Sequence, residues 1–245
     1  MLSDFIQAWN QGRNVELYET ENEAIDHAGN LWSGLVAAAP WSDKDLLDLG
    51  CGSGFWLTRY AGTARCLFGV EPDGSLLGLA RARTSAADVL HGSAEHIPLP
   101  DASIDVIHAR FAYFFPSPTN DCDPGLREAL RVLRPGGTLV VIDNDQQDGE
   151  FAELLHTANT AAHQGPGEYI QRWWKERGAT TERIMSSWTF TSPQELQAVI
   201  SMEFPKGSAR PWIEAHPDRE TLSYGYLLHT LRKGRELAPH LQKEA

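Results

Sequence analysis

The stretch "LLDLGCGSGFWLTRYAG", residues 46–62, runs four mostly apolar residues straight into glycines at 50, 52 and 54. A chain gives up side chains in this way where its backbone must approach something closely, or must adopt torsions that other residues resist. A strand that ends in Gly-x-Gly-x-Gly and opens a helix presents bare N–H groups at the carboxyl edge of a parallel sheet. That edge is where ligands of open α/β folds bind. A dinucleotide loop wants its third glycine three residues after the second, and Phe55 stands there while Gly54 comes one residue early. No Gly-Lys-Ser/Thr follows, so a phosphate loop fits worse still. The stretch therefore announces a nucleotide-like guest whose docking part is not a pyrophosphate.

Outward from this stretch, short apolar runs alternate with amphipathic ones. The expected strands are "LLDL" (46–49), "CLFGV" (66–70), "DVLH" (88–91), "IDVIHA" (104–109) and "TLVVID" (138–143), with two more at 183–190 and 221–231. Such alternation is how a parallel sheet and its crossover helices read. Leu126, Ala129, Leu130 and Leu133 repeat at helical spacing, and Pro135-Gly136-Gly137 then stops the helix. Two N-terminal helices are expected within residues 1–40, the first through Phe5, Ile6 and Trp9, the second through Ala24, Ile25, Ala28, Leu31 and Trp32 up to Pro40. A helical insertion is expected at 149–178, broken at Gly165-Pro166-Gly167, and a further helix starts at Ser192-Pro193. The chain is expected to form a single domain over 1–245, with 1–40 and 149–178 as helical covers.

At 245 residues and 42% hydrophobic content the chain can bury one large core. A net charge of -12, with dispersed Lys and Arg, argues against a nucleic-acid substrate. No apolar run approaches membrane-spanning length, which predicts a soluble, cytoplasmic protein. The three cysteines, Cys51, Cys66 and Cys122, have neither metal-ligand spacing nor a paired framework, so neither zinc nor disulfides are expected.

"LLDLGCGSG" resembles the first motif of class I S-adenosylmethionine (SAM) dependent methyltransferases, and three further strings follow in that family's order. They are "GVEPDGSLL", "HGSAEHIPLPDASIDVIHARFAYFF" and "LREALRVLRPGGTLVVID", and the match spans roughly residues 40–145. The resemblance implies a Rossmann-like α/β fold, a seven-stranded mixed sheet whose last strand, near 221–231, runs antiparallel. It implies SAM as cofactor, with Gly50, Cys51, Gly52 and Gly54 against its methionine part and Asp48 organising the loop toward its amino group. Glu71, with Pro72 beside it, would hold the ribose hydroxyls. Ser93 and Ala94 would face the adenine, Ala109 and Arg110 the methionine moiety, and Tyr18 would fold over the cofactor from the N-terminal helices. Ser93 departs from the aspartate that many relatives carry there, which weakens the adenine contact.

The expected function is methyl transfer by in-line displacement to an O, N or C nucleophile of a small molecule, releasing S-adenosylhomocysteine. An acceptor that must lose a proton needs a base, for which Asp143, Asp145 and His108 are candidates. "HARFAYFF" (108–115) lacks the Asn-Pro-Pro-Tyr-like pattern of nucleobase and amide methylation. Its aromatics, with the insertion's tryptophans, suggest a covered apolar pocket, so Tyr113, Phe114, Trp173 and Trp174 are the candidate acceptor contacts. Two other readings stay open: a non-methylating enzyme on the same cofactor fold, and an interaction protein with a vestigial pocket. A monomer or homodimer is expected.

Overall fold

Asp45–Leu49 forms β1, and all five residues are buried, as a strand covered on both faces requires. In the computed structural model, which describes residues 5, 14–157, 167–204 and 207–234, β1 lies inside a seven-stranded sheet. The other strands are β2 (Cys66–Glu71), β3 (Asp88–His91), β4 (Ile104–Arg110), β5 (Leu133–Asn144), β6 (Thr180–Thr189) and β7 (Thr221–Arg232). Their spatial order is β3-β2-β1-β4-β5-β7-β6. Only β7 runs opposite to the other six strands, antiparallel to β5 and β6 on either side, as the family resemblance implies. The order reverses between β1 and β4, so the ends of β1, β2 and β4 open a crevice at the switch point.

The helices, in chain order, are α1 (Val15–Ala24), α2 (Asn30–Ala38), α3 (Leu57–Tyr60), α4 (Gly74–Arg83), α5 (Asp123–Val132), α6 (Glu150–Thr157), α7 (Gly167–Glu176), α8 (Pro193–Glu203) and α9 (Arg210–Ala215). Alternate strand residues face opposite sides and build two cores. Leu46, Val106, Val140, Ile142 and Leu228 join one core with α2 and α8, while Leu47, Leu49, Ile107, Ala109 and Val141 join the other with α5 and α7.

Several boundaries differ from the sequence reading. The segment through Ala24–Trp32 is not one helix, because Asp26 adopts φ 58° and its buried carboxylate accepts from Leu31 N and Trp32 N, both at 2.8 Å. Ile25 instead bridges to Trp188 on β6. Strand β6 starts at Thr180, three residues before the expected 183, since pairing with β7 extends the ladder to Thr180↔Thr230. The Pro135-Gly136-Gly137 turn lies within β5, whose pairing with β4 begins at Ile104↔Leu133 and shifts register before Val106↔Thr138. Ile6, Trp9, Gly165 and Pro166 lie outside the described residues.

At the amino end of the strands, Asp45 and Asp105 share two arginines. Arg65 Nη2 lies 2.7 Å from Asp45 Oδ2, and Arg134 reaches Asp45 at 2.9 Å and Asp105 at 3.0 Å. This network ties β1, β4 and the flanks of β2 and β5 at the edge away from the glycine loop.

Candidate active site

The loop after β1 holds Gly50 at φ 79° and Gly52 at φ 58°, the left-handed region that side chains resist. Both positions are also crowded. A Cβ on Gly50 would stand 2.5 Å from the Ala112 Cβ, and one on Gly52 would run into the Tyr18 hydroxyl. Gly50 N and Cys51 N donate to Val70 O at 2.8 and 3.1 Å, which pins the loop to the end of β2. Glu71, the last residue of β2, accepts from Gly52 N through Oε2 and from Asp73 N through Oε1, each at 2.8 Å. Burial pushes its carboxyl up to about 7, and the two backbone donors partly offset that rise. Each carboxylate oxygen can accept a second bond, so Glu71 keeps capacity for ligand hydroxyls.

Asp48 is 2% exposed, and burial raises its carboxyl to about 6 against the opposing charge of Arg110. Its Oδ2 has no hydrogen-bond partner within the protein, nor do the buried hydroxyls of Ser53 and Ser93. Buried polar atoms are normally satisfied, so such a row at a switch-point crevice suits a polar guest. These residues fit SAM, whose amino group, ribose hydroxyls and adenine amine would offer donors to the carboxylates of Asp48 and Glu71 and to the Ser93 hydroxyl.

Two elements roof this floor. Tyr18 on α1 is buried over Gly52, and Arg83 at the end of α4 pairs with Glu19 of α1 at 2.5 Å and donates to Ser53 O at 3.0 Å. Arg110, at the end of β4, lies 4.5 Å over the Trp56 ring and donates to Asn22 Oδ1 at 3.3 Å. Pro72 O contacts His91 Nε2 at 3.1 Å, while Ala94 and Ala109 are buried in the core on the α5 side.

The acid–base candidates separate. His108 is 0% exposed, its Nδ1 lies 3.2 Å from the Tyr60 hydroxyl, and burial drives it down to about 3. A histidine so held stays neutral and does not collect an acceptor's proton at neutral pH. Asp145 is committed to an ion pair with Arg183 and accepts from Gln147 N at 3.0 Å. Asp143 remains: burial lifts it to about 7, Asn144 N donates to Oδ1 at 2.7 Å, and Oδ2 has no partner within the protein.

The candidate acceptor contacts are drawn away from the loop. Tyr113 donates to Glu95 at 2.8 Å and accepts from Gly125 N at 3.1 Å, packing on the start of α5. Phe114 lies against Trp174 in the core beneath α7, and Trp174 stacks on His229 with centroids 5.4 Å apart. Trp173 packs edge-on against Trp174 and carries Arg177 on its face. All of these belong to the core opposite α2 and α8, so the structure gives them packing partners rather than a place beside Gly52.

Residues that sequence reasoning missed are Asn22, Trp56 and Glu21. Glu21 is hydrogen-bonded to Glu203 of α8, and burial, reinforced by that neighbour, pushes its carboxyl well up. Trp56 stood inside the quoted stretch, but its stacking on Arg110 depends on a strand half the domain away. Asn22 and Glu21 carried no local signal. Among the described residues no group of His, Cys, Asp and Glu could hold a metal ion, and no helix is long and apolar enough to cross a membrane.

Residues 47–141 match the methyltransferase domain model. A probable S-adenosylmethionine-dependent methyltransferase of Mycolicibacterium smegmatis is 37% identical over 98 residues, 40% of this chain and 37% of that protein. A malonyl-[acyl-carrier protein] O-methyltransferase of Yersinia pestis is 33% identical over 109 residues, 44% of this chain and 39% of that protein. The chain thus spans under two fifths of either relative's length. The crystal structure of the YcgJ protein from Bacillus subtilis superposes with a TM-score of 0.60 at 18% identity, covering 85% of this chain and all of that one. Residues 47–141 thus resemble a methyltransferase domain, and the chain is similar to SAM-dependent methyltransferases over that stretch and shares the seven-stranded Rossmann-like methyltransferase fold.

Proposed function

We propose that the protein binds SAM in the crevice at the ends of β1, β2 and β4 and methylates a small-molecule acceptor. The observation that carries this reading is the Glu71 carboxylate held on Gly52 N at 2.8 Å, which joins the ribose-type acid to the glycine floor in one unit. When bound, SAM supplies a sulfonium methyl that a nucleophile displaces in line. The chain's own residues would orient and shield. Asp48 faces the amino group, Glu71 the ribose, and Tyr18 with Arg110 excludes water from above.

The acceptor side is bounded by Phe111, whose ring lies 6.0 Å from Tyr226 and 6.4 Å from Tyr224. Tyr224 in turn stacks on Phe151 of α6 at 3.9 Å, which supports α6, the first helix of the expected 149–178 cover, as part of an acceptor cover, while α7 packs in the other core. Of the expected 1–40 cover, α1 with Tyr18 over Gly52 supports a matching cover over SAM, and the two packed cores on one sheet support a single domain. Asp143, near neutral in its ionisation and free at Oδ2, is the group best suited to take a proton from an oxygen or nitrogen acceptor. The relative named as an O-methyltransferase makes oxygen the first acceptor to test. Free thiols throughout support a cytoplasmic setting, and the charge of -12 supports a substrate other than nucleic acid.

Calorimetry with SAM and S-adenosylhomocysteine tests the cofactor. Glu71→Ala should weaken both by about tenfold or more, the scale of one or two charge-assisted hydrogen bonds. Unchanged affinity would remove the ribose assignment. Incubation of methyl-labelled SAM with metabolite pools tests the transfer, and a broad panel without labelled product would count against methylation.

A further inference from the structure

Trp56, immediately before α3, is 1% exposed, and two guanidinium groups lie over its ring. Arg110 from the end of β4 stands 4.5 Å from the ring centroid, and Arg59 of α3 stands 4.7 Å from it and 4.2 Å from the Trp32 centroid. Both arginines are half-buried. Neither makes an ion pair with a described residue, whereas Arg65, Arg83, Arg134 and Arg183 each do. Carboxylates are not scarce in the chain, which carries 33 Asp and Glu against 21 Lys and Arg. The Arg110 guanidinium donates only to Asn22 Oδ1, through Nη1 and Nη2 at 3.3 Å, and that of Arg59 has no hydrogen bond to a described residue. The Trp56 Nε1–H is buried and has no partner within the protein either. Acids do stand near, but each is engaged elsewhere. Asp26 beside Arg59 accepts from Leu31 N, Trp32 N and the Ser186 hydroxyl, and Glu21 beside Arg110 is hydrogen-bonded to Glu203. Asp48, also near Arg110, belongs to the amino-group side of the crevice. What remains around the Trp56 ring is a set of donors without an acceptor, and two like charges that repel each other.

We propose that Arg59, Arg110 and the Trp56 N–H form a receiving subsite for an anionic group, a carboxylate or phosphate, on the methyl acceptor. An anion supplies the acceptor atoms that this donor set lacks, and it removes the repulsion between the two guanidiniums. Arginine suits the task, because a guanidinium stacked on an aromatic face keeps its N–H edge for a planar carboxylate or a phosphate. The position joins the two halves of the crevice. Arg110 is followed by Phe111, which bounds the acceptor side, and the Arg110 charge also reaches Tyr226, whose ring lies 6.0 Å from that of Phe111. The inference rests on the reading of this crevice as a SAM-dependent methyl-transfer site and adds to it the chemical class of the acceptor. SAM carries a carboxylate of its own, so the test must separate the two sources of negative charge.

Calorimetry of the S-adenosylhomocysteine-loaded protein with benzoate, phenyl phosphate, benzamide and benzylammonium reads the charge preference. At least one anion should bind about tenfold tighter than benzamide, with benzylammonium weakest, and added salt should narrow the gap. Benzamide or benzylammonium binding as tightly as the anions, or no binding of either anion, would overturn the subsite. Arg59→Gln and Arg110→Gln should each weaken the anion by about tenfold, the scale of one charge-assisted hydrogen bond. Arg59→Lys and Arg110→Lys keep the charge without the fork, should lose about threefold, and cover the case in which a glutamine variant fails to fold. Unchanged anion affinity in these variants would overturn the proposal. In each variant the loss for the anion should exceed the loss for S-adenosylhomocysteine. The reverse order would assign the guanidiniums to the carboxylate of SAM and overturn the acceptor subsite. A metabolite pool divided on an anion exchanger and then incubated with methyl-labelled SAM should carry its label in the retained fraction; label confined to the unretained fraction would overturn the acceptor class. If no fraction were labelled, or if S-adenosylhomocysteine did not bind, the methyl-transfer reading would fail, while titration of the protein with the four probes still decided whether the arginines receive an anion.

Discussion

The Glu71 carboxylate accepts the backbone N–H of Gly52 at 2.8 Å across 19 residues of sequence, so the acid and the loop are parts of one hydrogen-bonded structure. That bond forms only while Gly52 keeps φ 58°, with no side chain between its backbone and Tyr18.

Gly52→Ala should cost about 1–3 kcal/mol of stability in denaturant unfolding, from left-handed strain plus the collision with Tyr18. Adding Tyr18→Phe removes the colliding oxygen but not the strain, so the double variant should recover part of the loss. Full additivity of the two changes would show that the residues do not meet.

The pH dependence has a defined sign. Glu71, Asp48 and Asp143 are raised to about 7, 6 and 7, above the usual carboxylate range, so between pH 4 and 7 the folded state binds protons that the unfolded state has released. Stability of the ligand-free protein should therefore fall as pH rises through that window, by about 1.4 kcal/mol per pH unit for each group still in transition. Below it the trend turns, because Arg65 holds Asp45 down to about 2 and that stabilisation disappears on acidification. Thermal melts from pH 3 to 8 should peak at mildly acidic pH; a peak above pH 7 would contradict the burial of these acids. SAM, which brings positive charge beside two of them, should expel protons at pH 6.5, visible as a buffer-dependent enthalpy.

Arg183 pairs with Asp145, which is 0% exposed. Arg183→Ala leaves that acid buried without its cation and should cost about 1–3 kcal/mol. SAM affinity should stay within about twofold, since neither residue contacts the glycine loop. A large loss of affinity without a loss of stability would return Asp145 to the site.

Trp174 fills the core between Phe114 and His229. Trp174→Ala should cost about 3–5 kcal/mol as a buried cavity. Trp174→Phe should cost less and leave KM for the methyl acceptor unchanged below the melting temperature. A raised KM at intact stability would make the tryptophan an acceptor contact after all.

The strands were legible because each carries its own signal: "LLDL" is apolar but for Asp48, as suits a doubly covered strand, and short, mostly apolar runs recur at β2 to β5. The place of Glu71 at the end of β2, beside the loop, was legible through the family resemblance, although its bond to Gly52 N was not. The break at Asp26 was not, since the apolar period continues through it and only the capping of Leu31 and Trp32 N–H groups reveals a new helix. The fate of His108 was equally hidden, because its partners Tyr60 and Trp41 lie 48 and 67 residues earlier in the chain. The tryptophans of α7 misled for a related reason. An aromatic pair reads the same from sequence whether it lines a pocket or fills a core, and the side of the sheet it lands on is decided by a crossover.

The arginine-aspartate network of Asp45, Asp105, Arg65 and Arg134 closes the opposite edge of the sheet from Asp48, Glu71 and Arg110. Each of β1 and β4 thus begins in a fastening and ends at the proposed SAM-binding surface, with a buried strand as spacer. Cohesion and chemistry are in this way assigned to different residues of the same strand. A lineage could retune tolerance to heat or salt at one rim while exploring new acceptors at the other, and neither search would constrain the other.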